Sequence, residues 1–496
     1  MVAAADRGNY PLVSFDTGDA AVEWFPPLVA LRGAERRFGW DAWDAQGEAD
    51  WTIIRSLKRY LEDAGPETLI EAEGRTFPLR ELTHGVTATL RQALASHFGE
   101  REPLEVMLGV PANANSNQRF LTVDAFRSAG FSVLGLLNEP SAASIEFGHR
   151  QRLSGTILVY DLGGGTFDAS LVELDARTHT VLATEGISTL GGDDFDHVLA
   201  AMAAGEDRLA ALDPAQLFHL EDECRRQKEA LHPNSRKIVV DLDVVEEGLG
   251  QVAIPVADFY DRCRPLLEES VNATARLAGQ TNIDALYVTG GGSELPLVAR
   301  VLRDEFGRKV KRSEYTRSAT AIGLAIQADA ASGYKLREVF TRYFGVWREG
   351  EEGRRMIFDP VFPRGTRLPA AGEAPLTVSR EYQPVHNVGH FRYLEASDVD
   401  DGQPSGDIAV WDEILFPFDP KLAEASTLNG VPVGRCDSAA VQRIEEHYAC
   451  DAAGSVTVAV RNLSSNYGRE FRLGRWSGKA AVVRPGARRR TRKATG

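Results

Sequence analysis

From residue 12 to about residue 330, short apolar runs alternate with stretches of helical spacing. VMLGVPA (106–112) is an apolar run closed by Pro111 and predicts a buried strand. Residues 115–129 carry apolar positions three and four apart and stop at Gly130, which predicts a helix and its end. FSVLGLL (131–137) predicts another strand, and TILVYDL (156–162), nearly all apolar, a third. A glycine run follows, then FDASLVEL (167–174), where apolar and polar positions alternate. Residues 220–231 are charged with helical spacing and end before Pro233. ALYVTGGG (285–292) is a strand running into a glycine turn, with a helix expected from about Pro296 to Phe306. Strands alternating with helices predict an α/β fold. After about Gly333 the pattern changes. Residues 340–480 hold short β-prone pieces broken by Gly, Pro and Asp, such as APLTVSREY, DIAVWDEILF and SVTVAVRNL. Period-two alternation and few helices predict a separate β-rich domain.

The 496 residues suffice for several domains. A formal net charge of −15 argues against a general nucleic-acid binder. Cys224, Cys263, Cys436 and Cys450 lack zinc-site or C-x-x-C spacing, so reduced thiols in a cytoplasm are expected. The start, MVAAADRGNYP, has no apolar signal region, and no uncharged apolar run is long enough to span a membrane. The end, RPGARRRTRKATG, carries six basic residues and no acidic one. It reads as a solvated disordered tail or a contact for an acidic partner.

The densest chemistry lies at Asp161-Leu162-Gly163-Gly164-Gly165-Thr166-Phe167-Asp168. Glycines let backbone N–H groups approach phosphate oxygens with no side chain in the way. Two carboxylates, at a strand end and on its hairpin partner, can hold a hydrated Mg²⁺ and orient water. A second glycine turn, Leu190-Gly191-Gly192-Asp193-Asp194, follows a strand and reads either as a capped loop or as part of the same site. A third, Gly290-Gly291-Gly292-Ser293, joins a strand to a helix, where amides and a helix N-terminus suit an anion. Three such turns in one α/β region point together to a nucleotide.

These residues resemble a family. Val110-Pro111-Ala112 with Asn115, Gln118 and Arg119, then Asn138-Glu139-Pro140-Ser141-Ala142-Ala143, DLGGGTFD (161–168), LGGDDFD (190–196) and TGGGSELP (289–296) follow, in order and spacing, motifs of the DnaK-type, seventy-kilodalton heat-shock chaperones of the actin-like ATPase superfamily. Sugar kinases and actin share that fold without the same motifs. The resemblance implies roles. Asp161 and Asp168 would surround Mg²⁺, largely through water, and the attacking water. Thr166 and Gly163 to Gly165 would contact phosphates. Glu139 would be a further carboxylate near the metal; otherwise it is a turn residue before Pro140. Arg55-Ser56-Leu57-Lys58-Arg59 would make Lys58 the lysine that reaches the γ-phosphate; otherwise it is a solvated helix lysine. Lys228 would sit at the ribose, with Gly191, Gly192, Asp193, Gly290 and Gly291 lining the nucleotide.

The pattern also breaks. The family's first phosphate loop has a tempting candidate in Asp16-Thr17-Gly18, but Pro26 follows Asp16 by only ten residues, too few for that register. The register that fits puts residues 1–3 on the strand after the loop, Asp6-Arg7-Gly8 on a hairpin turn and residues 12–15 on the return strand. The first strand and first phosphate loop are then expected to be missing, either because the recorded start lies downstream of the true one or because the protein lacks them. Glu229 and Glu294 stand where the chaperones usually carry arginines that sandwich adenine, Arg225 where an acid is usual, and His232 where a serine is. The linker, Tyr334-Lys335-Leu336-Arg337-Glu338-Val339, is charged where the family's is apolar.

The expected architecture is an actin-like nucleotide-binding domain over 1–333, a β-rich substrate-binding-like domain over 334–483 without a full helical lid, and a basic tail over 484–496. The expected function is a cytoplasmic ATP-hydrolysing chaperone, taking ATP or ADP and Mg²⁺ and binding unfolded or partner polypeptides, with possible co-chaperones, as a monomer. The alternative is a nucleotide-sensing interaction protein with little turnover.

Overall fold

The computed structural model describes residues 1–473 apart from 18–19, 49, 56, 62–63, 65–66, 73, 100–102, 152–153, 351–354, 370–372, 426 and 452–453, together with 482–483. The basic tail therefore lies outside the described residues, as do Gly18 and Ser56 of the motifs quoted above.

A six-stranded sheet forms the centre of the α/β region. Its order is Val310–Arg312, Ala285–Thr289, Gly155–Leu162, Phe167–Asp175, Thr178–Ile187, Lys335–Arg337. The three middle strands are antiparallel neighbours, and parallel strands flank them on both sides. Strand Phe167–Asp175 departs from its alternating pattern, for it is buried on both faces from Phe167 to Val172. Helices Glu139–Gln151 and Val256–Ala278 both pack against it, so polar positions such as Asp168 and Ser170 are buried as well.

Helix ends follow local chemistry. Asn115 caps helix Ser116–Ser128 through a reciprocal pair: its side chain accepts from the Gln118 amide, and the Gln118 side chain accepts from the Asn115 amide. Pro296 opens the helix that ends at Phe306, and Gly307 follows with φ 59°. A second lobe holds parallel strands Leu104–Val110 and Phe131–Asn138 with helices Leu79–Phe98 and Ser116–Ser128.

The N-terminal hairpin forms in the expected register. Ala3 pairs with Leu12, and Arg7 and Gly8 both take positive φ in the turn between Asp6 and Asn9. Asp16 is exposed and lies on a separate short hairpin, Phe15–Asp16 against Ala21–Val22.

The C-terminal region is a sandwich of two four-stranded antiparallel sheets. One has the order Arg355–Phe362, Tyr343–Gly350, Val388–Asp400, Gln403–Pro417; the other, Leu376–Tyr382, Ile444–Cys450, Val456–Asn462, Tyr467–Arg472. Phe344, Phe362, Tyr393, Phe416, Tyr448 and Val458 fill the space between them. Residues 482–483 do not join the sandwich; they pair in parallel with Leu69 and Ile70. All four cysteines are free. Among the described residues no helix is long and apolar enough to cross a membrane.

Candidate functional site

The Gly155–Leu162 and Phe167–Asp175 hairpin sets Asp161 directly opposite Asp168. The loop between them is tight: the Gly163 amide donates to the Thr166 carbonyl at 2.9 Å. Asp168 accepts the Ala112 amide at 2.8 Å, which ties it to the loop before helix Ser116–Ser128. Glu139 begins a helix, and both its carboxylate oxygens accept from Lys58 Nζ, at 2.7 and 2.8 Å. Lys58 and Glu139 are thus brought to the Asp161–Asp168 hairpin from two different parts of the fold.

Charge is unbalanced here. Three carboxylates face one ammonium. Burial first, and then Glu139 and Asp168, push the Asp161 carboxyl up to about 8. Burial and Glu139 push Asp168 up to about 6, against the pull of Lys58, Thr166 and the Ala112 amide. Burial opposes the charge on Lys58, but Glu139, Asp168 and Asp161 outweigh it and hold its pKa above the ordinary value. Such a site gains from added positive charge, which is the electrostatic test that Mg²⁺ passes here. Among the described residues no three acid, histidine or cysteine side chains converge closely enough to grip an ion directly.

The second glycine turn supports the first. The Gly192 and Asp193 amides donate to the Gly163 and Gly164 carbonyls at 2.9 and 2.8 Å. A Cβ on Gly191 would sit 2.5 Å from the Gly164 oxygen, so only glycine allows this approach. Lys228 is buried, and its Nζ meets Asp196 at 2.7 Å and the Gly192 carbonyl at 2.7 Å. It fastens the turn from behind; the ribose-side role that the resemblance implied would require it to leave those partners. Gly290, at φ 84°, lies against Asp161, where a Cβ would come within 2.4 Å of Oδ1.

A cavity of about 680 Å³ runs past these residues. Glu139, Asp161, Gly163, Gly164, Gly290 and Gly291 line its polar end. Its apolar end passes between residues 1–5 and strand residues 106–109. Among the described residues that side of the cavity supplies no glycine-rich loop.

The charged linker is not idle. Lys335–Arg337 adds a parallel strand beside Thr178–Thr180. Glu338 accepts the Asn138 amide at 3.2 Å and also its side-chain amide, one residue from Glu139. From the sandwich, Glu395 accepts the Ser116 amide at 2.7 Å and the Ser116 hydroxyl at 2.9 Å.

Sequence reasoning missed Arg317. It sits in the cavity wall and bonds Glu294 and Glu229, the two acids that stand in place of arginines. Only the two misplaced acids could have prompted a search for a displaced cation.

Residues 34–346 match the family model described as Hsp70 protein. The chain is similar to the Chaperone protein HscA homolog of Pseudomonas fluorescens (strain SBW25), 30% identical over 400 residues, covering 78% of this chain and 59% of that protein. It is also similar to the protein of that name from Janthinobacterium sp. (strain Marseille), 28% identical over 497 residues, covering 93% of this chain and 74% of the relative. The chain thus spans about three fifths of the first of these relatives.

Proposed function

Because this chain belongs to the Hsp70 protein family, we propose that it binds ATP in the cleft, hydrolyses it, and couples nucleotide state to the grip of its β-sandwich on unfolded or partner polypeptide. The observation that carries the reading is the meeting of Lys58, Glu139, Asp161 and Asp168 at a glycine hairpin. Phosphoryl transfer to water asks a protein mainly for positioning and charge, and this cluster supplies both. Lys58 is held charged by Glu139 and would offer that charge to the γ-phosphate. Glu139, Asp161, Thr166 and Asp168 would orient the attacking water, and the amides of Gly163 to Gly165 would receive phosphate oxygens. Mg²⁺, when bound through its waters by Asp161 and Asp168, would neutralise phosphate charge.

Coupling has a physical route. Glu338 and Glu395 bind backbone within a few residues of Glu139 and of the Asp168-linked Ala112. A shift at the phosphates would be felt at both contacts. The HscA homologs are named chaperones; by extension this chain would act on polypeptides, with co-chaperones, in the cytoplasm, as a monomer.

The test is hydrolysis of ATP by the full chain with Mg²⁺, beside Asp168→Asn, and affinity for an unfolded peptide with and without ATP. Turnover that Asp168→Asn removes, and peptide affinity that ATP changes, are expected. Absence of turnover would sink the ATPase reading, and ATP-independent affinity would sink the coupling.

A further inference from the structure

Two features play no part in the hydrolysis scheme: a group of tryptophans near the N-terminus and the basic run 484–496. Trp24 follows strand Ala21–Val22, and Trp40 and Trp43 lie on helix Trp40–Asp44. Their ring centres are 5.0 to 6.3 Å apart, and each residue is half-buried. Each also adjoins an exposed acid in sequence, Glu23, Asp41 or Asp44. Among the described residues no ion pair engages these three acids, for the nearby arginines are spent elsewhere: Arg32 on Glu35 at 2.9 Å, Arg36 on Glu81 at 2.5 Å and Arg37 on Glu48 at 2.6 Å. Trp51 shows how this fold pairs a tryptophan with a cation. The guanidinium carbons of Arg32 and Arg37 both lie 4.4 Å from its ring centre. Among the described residues no cation covers Trp24, Trp40 or Trp43 in that way.

Indole is the best aromatic seat for a cation. Unpaired carboxylates beside it add an attraction that reaches about 8 Å at physiological salt. The patch therefore suits a cationic, extended segment, and the same chain carries one. RPGARRRTRKATG (484–496) has six basic residues and no acidic one. Immediately before it, Val482 and Val483 pair in parallel with Leu69 and Ile70. Ile70 packs with Val29 and Leu31, while the alternate residues Leu28 and Ala30 pack with Trp43. Anchor and patch thus lie on the two sides of one strand. Fully extended, residues 484–496 reach about 43 Å, more than the roughly 30 Å width of a small domain. We propose that Trp24, Trp40 and Trp43, with Glu23, Asp41 and Asp44, form a docking site for a cationic segment, and that its occupant is residues 484–496 of the same chain. Docked there, the segment straps the chain beyond the sandwich to the N-terminal sheets at a second point.

Fluorescence anisotropy of a labelled peptide of residues 484–496, titrated with the full chain, tests it. A full-length variant whose six basic residues in 484–496 are all replaced by glutamine leaves the patch open and should bind the peptide. The wild type, whose own tail is tethered at millimolar effective concentration, should bind it at least about tenfold more weakly. In the glutamine background, Trp40→Leu should weaken the peptide by about tenfold, the scale of one lost cation–indole contact. Glu23→Gln with Asp41→Asn and Asp44→Asn should weaken it by a similar factor. These three side chains are exposed, so the triple variant carries the test if Trp40→Leu fails to fold. Peptide binding that is absent in the glutamine variant, or that stays within about twofold in both patch variants, overturns the site. Equal binding by the wild type and the glutamine variant overturns the tail as occupant and gives the patch to a cationic segment of another protein. A wild type that sediments as a dimer, which the glutamine variant does not, puts the tail on a second copy and overturns docking within one chain.

Discussion

Two charge clusters in this molecule have opposite characters. In the cleft, Glu139, Asp161 and Asp168 face Lys58 alone, and two of the carboxyls are pushed far up. In the sandwich, the Arg348 guanidinium donates to both oxygens of the fully buried Glu446 at 2.9 and 2.8 Å and to Asp359 at 2.6 Å. Arg380 donates to both oxygens of the same Asp359 at 3.1 Å, and the Tyr448 hydroxyl donates to Glu446. Two cations there meet two anions. Burial alone would raise Asp359, but the two arginines outweigh it and hold it below its usual range. The sandwich cluster is complete without a ligand. The cleft cluster is short of positive charge. Crowded acids that the fold could have neutralised but did not are the mark of a site that waits for something.

The comparison can be broken first at the cleft. Asp168→Asn keeps the acceptor for the Ala112 amide and removes one charge from the crowded carboxylates. Steady-state hydrolysis should fall by roughly 10²–10⁴-fold, while the melting temperature holds or rises. A variant that melts much earlier would make Asp168 a structural residue, and the contrast would fail. The sandwich should answer in the other sense. Glu446→Ala leaves Arg348 over the Tyr382 ring with half its carboxylate partners gone, and should cost about 3–5 kcal/mol in denaturant unfolding. ADP affinity should be untouched.

Asp161→Asn probes the imbalance through pH. The folded carboxyl titrates near 8, against 3.8 for a free one. Between those values the unfolded chain has released a proton that the folded chain keeps, so folding stability falls as pH rises from about 4 to about 8. Asparagine removes that loss. The ligand-free variant should be more stable than wild type by roughly 1–3 kcal/mol at pH 8 and no more stable at pH 4. Thermal melts at the two values decide it; a gain independent of pH would mean that relief of crowding is not the cause.

The Asp161–Asp168 hairpin was legible because its chemistry is local. Asp161 to Asp168 are eight consecutive residues that form one hairpin, and glycine there leaves little else to do. Helix Pro296–Phe306 was legible for the same reason, since Pro opens it and Gly closes it. The cluster of Arg317 with Glu294 and Glu229 was not. Glu294 and Glu229 lie on different elements, and Arg317 joins them only through the fold. Lys228 carries a motif lysine, yet it is spent on Asp196 and Gly192, a burial that spacing along a helix does not reveal. FDASLVEL alternates in polarity, but a strand covered by helices on both faces buries its polar positions too. The charged linker did not show where its charges go; Glu338 finds its partner in Asn138, 200 residues away.

The smallest effect lies at the rim of the sandwich cluster. Arg380 is chemically like Arg348 and shares its partner Asp359, but its side chain is 37% exposed against 20%. Water can replace Arg380 at the carboxylate, whereas nothing replaces Arg348 at Glu446. Arg380→Gln should therefore cost less than about 1 kcal/mol, and the difference from wild type should shrink in high salt. The larger loss from Glu446→Ala should persist in salt, since a buried pair is screened little. If Arg380→Gln instead costs as much as Glu446→Ala, the two arginines act as one unit around Asp359. The sandwich cluster would then be a cooperative network with no spare charge at all. That outcome would make its contrast with the under-neutralised cleft sharper than the distances alone require.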